Sequence, residues 1–208
     1  MASTTGKFIV LEGIDGCGKG TQTKLLSDFL IQKGYAVVTK KYPEYGQPIG
    51  DLISAWLHKK YEFSVDTQVM LYFADFIKDK QLINETVQNN GIILGDRYLT
   101  STIVYQHFKG FPLKKLLDLA QLFEASKPDL CIYIKIAPET SLSRKTNQKP
   151  DNLDRHEEDK KFQAALAETY EKMANEKVFC DWETIDGEQS VENVFNQIIG
   201  ILNKKLQI

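Results

Sequence analysis

Apolar runs of strand length alternate with stretches of helical periodicity along most of the chain. The first run spans residues 7–11 and stops at Glu12. After a Gly-rich turn, Leu25, Leu26, Phe29 and Leu30 recur at helical spacing, and Gly34 follows Lys33 where a helix would be capped. Residues 35–41 predict a second strand that ends before Pro43. Residues 91–95 and 130–136 are nearly continuous aliphatic runs, the mark of strands buried on both faces. Between the second and third strands, Val69, Tyr72, Phe73, Phe76, Ile83 and Val87 predict one long amphipathic helix over 66–87. A weaker fifth strand over 178–185 precedes a last helix, capped by Ser190 and striped by Val191, Val194, Phe195, Ile198 and Leu202. Strands alternating with helices predict βαβ units, hence an α/β fold with a parallel sheet.

One stretch breaks the pattern. Residues 143–161, SRKTNQKPDNLDRHEEDKK, are nearly free of apolar side chains and mix both signs of charge. Such a segment is either a solvated loop or a mobile lid on a compact core.

Composition narrows the function. The length of 208 residues suits one domain, and neither a linker nor an internal repeat divides it. Lys+Arg at 26 against Asp+Glu at 28 lacks the basic surplus of a protein that coats nucleic acid. Ordinary proportions of hydrophobic and charged residues exclude a disordered chain. No apolar run reaches membrane-spanning length, so a membrane partner is not expected. Cys17, Cys131 and Cys180 are odd in number and form no CxxC pair, which points to a reducing, cytoplasmic setting. His58, His107 and His156 are scattered without zinc-ligand spacing.

The decisive chemistry lies between the first strand and the first helix, where GxxxxGK reads Gly13-Ile14-Asp15-Gly16-Cys17-Gly18-Lys19, followed by Gly20 and Thr21. Glycines let successive backbone N–H groups turn toward phosphate oxygens, a helix N-terminus adds partial positive charge, and Lys19 adds a full one. This is a nucleotide-binding P-loop. Gly20 stands where a Ser or Thr hydroxyl usually ligates Mg²⁺, which leaves Thr21 or bridging water to take that part. Cys17 occupies a position that needs a small residue. Asp96-Arg97 follows the third aliphatic run, at the sheet edge that also carries the P-loop. There a carboxylate can hold Mg²⁺, directly or through water, and a guanidinium can clamp a phosphate.

Taken in order and at these separations, FIVLEGIDGCGKGTQ, DRYLTSTIVYQ and LDRHE resemble the thymidylate (dTMP) kinase family. The likeness runs from about Lys7 to the last helix. It implies a three-layer P-loop kinase fold, with a five-stranded parallel sheet flanked by helices and a lid at about 143–161. It also implies transfer of the γ-phosphoryl of ATP to dTMP with Mg²⁺, and a homodimer with the long helix as interface. Gly13 to Thr21 would hold ATP, Arg97 the acceptor phosphate, and Asp96 the metal. Asp15, Pro43, Tyr45, Tyr72, Phe76, Ser101, Thr102, Tyr105 and Gln106 fall on the acceptor pocket. Within it, Tyr72 would stack on the base, Thr102 bond its edge, and Tyr105 crowd a ribose 2′-hydroxyl. Because Gly16 fills the position of a P-loop arginine, the transition-state cations would come from Arg144, Lys145, Lys149 and Arg155.

Two positions depart from the family pattern. Tyr45 replaces the arginine of Phe-Pro-x-Arg, and Phe76 replaces the arginine that meets the thymine edge. These departures leave open a same-fold kinase for another nucleoside monophosphate or a deoxynucleoside. A GTPase reading of Ser126-Lys127-Pro128-Asp129 as a guanine-binding motif fails on position, since that motif should follow its strand and here precedes it. A non-catalytic nucleotide binder is disfavoured by Lys19, Asp96 and Arg97 together.

Overall fold

The computed structural model describes residues 5–148, 155–156 and 160–208. Five parallel strands form one sheet in the order β2-β3-β1-β4-β5: β1 Lys7–Glu12, β2 Val37–Lys41, β3 Ile92–Asp96, β4 Leu130–Lys135 and β5 Trp182–Asp186. The aliphatic β1, β3 and β4 take the centre, where helices cover both faces and every residue of β3 is buried. The more polar β2 and β5 take the edges.

The helices are α1 Lys19–Gln32, α2 Pro48–Leu57, α3 Val65–Ile77, α4 Lys80–Gln88, α5 Leu99–Phe108, α6 Leu113–Leu122, α7 Pro138–Gln148, α8 Lys160–Asn175 and α9 Val191–Leu206. As the sequence predicts, Ser190 caps α9, its hydroxyl accepting from the Asn193 amide at 3.2 Å. Val194, Ile198 and Leu202 on that helix are buried. The fifth strand is shorter than expected, because the chain bends at residues 179–180 before it, with the Val178 carbonyl accepting from Trp182 Nε1.

Two expectations are corrected. The single helix expected over 66–87 is two, α3 and α4, separated at Lys78 and Asp79. The joint carries a polar pair, exposed Lys78 and half-buried Asp79, in place of an apolar stripe. Asp79 accepts a hydrogen bond from the Tyr42 hydroxyl at 2.8 Å, and Lys78 Nζ donates to Asp79 and to the Asp75 carbonyl, both at 2.7 Å. The polar excursion expected over 143–161 is not one continuous loop. Its start is the last part of α7, favoured by Pro138 at the helix start with Glu139 in the first turn, and its end opens α8. Lys149 lies outside the described residues.

Parallel register brings the ends of the central strands to one edge. Leu11 pairs with Asp96, which also pairs with Lys41. The strand order reverses about β1, so the loop that leaves β1 opens at the switch point of the sheet. At the opposite edge, Asp129 accepts from the Phe8 amide at 2.8 Å. Its carboxylate is thus a strand-end tie, far from any nucleotide site at the P-loop.

Candidate active site

The loop between β1 and α1 is shaped by close approach. At Gly16 (φ 78°) an added Cβ would lie 2.9 Å from the Ser141 carbonyl oxygen, so α7 leaves no room for a side chain there. The same helix is tied to the loop by the Ser141 hydroxyl, which donates to the Asp15 carbonyl. Lys19 is buried, and its Nζ donates to the Gly13 and Ile14 carbonyls at 2.9 and 3.1 Å, with Cys17 Sγ 3.6 Å away. An incoming phosphate would therefore compete with the loop's own carbonyls for the ammonium.

Arg144 on α7 reaches the same loop, donating to the Gly16 carbonyl at 3.4 Å and to the Gly187 carbonyl at 3.2 Å. Lys145 lies close enough to Asp15 to act on its charge. Burial opposes that charge, but Arg97, Lys19 and Lys145 outweigh it and hold the Asp15 carboxyl well below the usual carboxylate range. Arg155 is placed elsewhere. Its guanidinium forms a bidentate pair with Glu62, each bond 3.0 Å, and lies 4.5 Å from the centre of the Trp56 ring. The structure thus brings Arg144 and Lys145 to the P-loop and Arg155 to the far side of the neighbouring pocket.

That pocket is walled by the ten residues assigned from sequence to the acceptor: Asp15, Pro43, Tyr45, Tyr72, Phe76, Arg97, Ser101, Thr102, Tyr105 and Gln106. Arg97 is its anchor. Half-buried and in the left-handed region (φ 70°), it donates from Nη2 to Asp15 at 2.7 Å and from Nη1 to the Ser101 and Tyr170 hydroxyls at 3.0 Å each. Its guanidinium also lies 5.5 Å from the centre of the Tyr105 ring. Deeper in the wall, Thr102 Oγ1 and Gln106 Oε1 are buried without hydrogen-bond partners. Buried polar atoms nearly always have a partner, so these two oxygens at the cavity wall are available to a ligand. Tyr45 stands at the mouth, 51% exposed, and Phe76 is fully buried against Tyr42 and Tyr98 at ring distances of 4.8 and 5.3 Å.

Sequence reasoning missed four participants. Tyr42, Leu57 and His156 complete the pocket wall. Glu12 lies beneath it, fully buried at the end of β1. A carboxylate closing an otherwise aliphatic strand beside a P-loop was a signal for Glu12. For His156, its place directly after Arg155 in LDRHE was one. His156 accepts no proton readily: burial, then the ammonium of Lys109 3.3 Å from Nε2, pushes its pKa down to about 3.

For a divalent cation, the relevant group is Asp96. It is buried, its Oδ2 lies 3.9 Å from Lys41 Nζ, and the same oxygen is 3.5 Å from where a Cβ on Gly20 would stand. Thr21 is exposed. Among the described residues no group of three metal-ligating side chains occurs. One carboxylate beside a phosphate cradle nevertheless suits Mg²⁺, which keeps several waters and takes its remaining oxygens from the nucleotide.

Comparison with known proteins agrees with this geometry. The thymidylate kinase family profile matches residues 11–198. A thymidylate kinase of Thermoanaerobacter sp. (strain X514) is 34% identical over 97% of this chain and 99% of its own. A probable thymidylate kinase of Thermococcus kodakarensis is 33% identical, covering 96% and 98%. One from Prochlorococcus marinus (strain AS9601) is 31% identical over 93% of each chain. No helix among the described residues is long and apolar enough to cross a membrane. A P-loop on a five-stranded parallel sheet, an arginine-anchored pocket beside it and similarity along nearly the whole length agree: the chain belongs to the thymidylate kinase family.

Proposed function

We propose that the protein transfers the γ-phosphoryl group of ATP to dTMP, giving dTDP and ADP, as one domain with α7 and the segment after it as lid. The observation that carries this reading is the adjacency of two sites: the P-loop and the Arg97 pocket share Asp15, whose carboxylate pairs with Arg97 while its carbonyl meets α7. The P-loop backbone from Gly13 to Thr21, with Lys19, binds the ATP phosphates. Arg97 grips the acceptor phosphate, Tyr72 supplies an aromatic face for the base, and Thr102 and Gln106 offer their unpaired oxygens to its edge. Tyr105, whose ring centre is 5.5 Å from the Arg97 guanidinium, is the residue to crowd a ribose 2′-hydroxyl.

Arg144 and Lys145, already at the loop, neutralise charge spreading over the transferred group. In this chemistry positioning and electrostatics supply most of the rate. Arg155 joins them only if it leaves Glu62, and Lys149 is retained as a lid cation on sequence grounds. Asp96, through water, is the residue to hold Mg²⁺, which when bound neutralises charge between the β- and γ-phosphates. A homodimer through α3 is supported by Met70, 51% exposed on that helix, and a cytoplasmic setting by three buried free cysteines.

The other reading, a kinase for a different acceptor, rests on Tyr45 and Phe76. It is not favoured, because neither residue opens the pocket: Tyr45 stands at its mouth and Phe76 is packed in the core. A coupled ADP-release assay with ATP, Mg²⁺ and a panel of nucleosides and nucleoside monophosphates tests the assignment. dTMP is expected to be the best acceptor, and equal turnover of dUMP, dGMP or thymidine would overturn it.

A further inference from the structure

Glu12 ends β1 in full burial, beneath the acceptor pocket and without a place in its wall. Its two carboxylate oxygens receive four donors. Oε1 accepts from Thr100 Oγ1 at 2.6 Å and from the Tyr98 amide at 3.2 Å, and Oε2 accepts from Ser101 Oγ at 2.6 Å and Tyr170 OH at 2.9 Å. Two of those donors, Ser101 and Tyr170, are the hydroxyls that meet Arg97 Nη1, and Nη1 itself lies 3.9 Å from Glu12 Oε2, so the charge of Glu12 also reaches it directly.

The order of protons along this chain is set by chemistry. An ionised carboxylate only accepts and a guanidinium only donates, while each hydroxyl has one proton and two lone pairs. With Glu12 on one side and Arg97 on the other, Ser101 and Tyr170 send their protons to Glu12 and present lone pairs to Arg97. Their mutual contact at 3.0 Å does not reverse this, because the bond to a charged acceptor is the stronger claim on each proton. The arrangement also answers a conformational cost. Arg97 has a left-handed backbone (φ 70°) that a non-glycine residue holds only when its surroundings fix it. Its amide donates to the Leu11 carbonyl at 3.1 Å, one residue before Glu12, so the same strand end holds both backbone and side chain.

We propose that Glu12 is the positioning residue for Arg97: through Ser101 and Tyr170 it fixes the guanidinium in the orientation that receives the acceptor's 5′-phosphate. Tyr170 lies on α8, which begins where the lid segment ends, so the chain of bonds also joins β1 and α5 to the helix that follows the lid. The proposal rests on the reading of Arg97 as the acceptor-phosphate residue.

The test is binding, measured by calorimetry, of dTMP and of thymidine, which has the same base and sugar but no phosphate. Glu12→Gln keeps the shape but replaces a charged acceptor by an amide, so the Ser101 and Tyr170 protons lose the charge that directs them away from Arg97. The expected result is about a tenfold loss of dTMP affinity with thymidine affinity within about twofold of the parent. Tyr170→Phe removes one of the two relays while keeping the ring stacked on Tyr133 at 5.3 Å. It is expected to lose roughly threefold in dTMP alone, and it carries the test should Glu12→Gln not fold. Equal losses for dTMP and thymidine, or no loss for dTMP, overturn the proposal, since a merely structural role would not distinguish the two ligands. Arg97→Ala is measured alongside. Loss of dTMP affinity there with none in Glu12→Gln overturns the role of Glu12 alone, whereas unchanged affinity in Arg97→Ala overturns the acceptor-phosphate reading itself.

Discussion

Arg97 Nη2 and Asp15 Oδ1 meet at 2.7 Å, joining the turn after β3 to the P-loop. On the proposed function, the cation that grips the acceptor is therefore held by a carboxylate of the loop that binds the donor. Neither residue can shift without the other feeling it, and the bond is charge-assisted in a largely buried place.

Asp15→Asn keeps the size of the side chain and removes its charge. Arg97 then loses its strongest partner, and a dTMP phosphate must organise it on arrival. KM for dTMP is expected to rise about tenfold, with a smaller effect on KM for ATP. Steady-state kinetics with each substrate varied in turn check this. A rise confined to KM for ATP would place Asp15 in the donor site alone.

Thr102 offers the opposite case, a hydroxyl that costs the free protein. Its Oγ1 is buried with no partner, so Thr102→Val removes an unpaid desolvation and replaces it with a methyl of similar volume. Melting temperature is expected to hold or rise, while kcat/KM for dTMP falls about tenfold because the base edge loses its partner. A variant that loses stability and keeps activity would show that the hydroxyl serves the fold and not the base.

Much of this was legible in the sequence, for physical reasons that differ between elements. The central strands announce themselves because burial on both faces demands continuous aliphatic residues, as in Ile92, Ile93 and Leu94. The P-loop does so because wrapping backbone around phosphate demands glycine at fixed spacing. Short-range patterns could not show the break at Lys78 and Asp79. There Asp79 is held by a bond from Tyr42, 37 residues away in the chain. Glu12 was hidden for the same reason, since its partners Thr100, Ser101 and Tyr170 come from distant helices. Phe76 shows the limit of comparing positions one by one. Its substitution for an arginine reads as a lost contact, yet here the ring completes an aromatic cluster with Tyr42 and Tyr98.

His156 makes the pocket sensitive to acid. Its pKa is pushed down to about 3 by burial and then by Lys109, whereas in the unfolded chain it titrates near its ordinary value of 6.5. Between those values the unfolded state binds a proton that the folded state refuses, so stability falls as pH drops through 6.5 toward 3. His156→Gln removes this contribution. The melting temperature of the parent is expected to fall more steeply than that of the variant between about pH 7 and about pH 5. Parallel slopes would mean that the imidazole is not held neutral.

If Mg²⁺ is held as proposed, Gly20 decides how directly the protein touches it. The site where its Cβ would stand is 3.5 Å from Asp96 Oδ2, and no other neighbour is within 4 Å. Gly20 begins α1 beside Lys19 and is absent from the positive-φ positions, so a side chain meets neither steric nor backbone resistance. Gly20→Ser would therefore set a hydroxyl beside the carboxylate, adding a second oxygen to a site that otherwise offers one and relies on water. The metal concentration for half-maximal rate is expected to fall severalfold, with Mn²⁺ and Mg²⁺ shifting together because both are oxygen-seeking. Titration of each metal at saturating ATP and dTMP checks this. An unchanged midpoint would mean that a hydroxyl at residue 20 does not reach the cation.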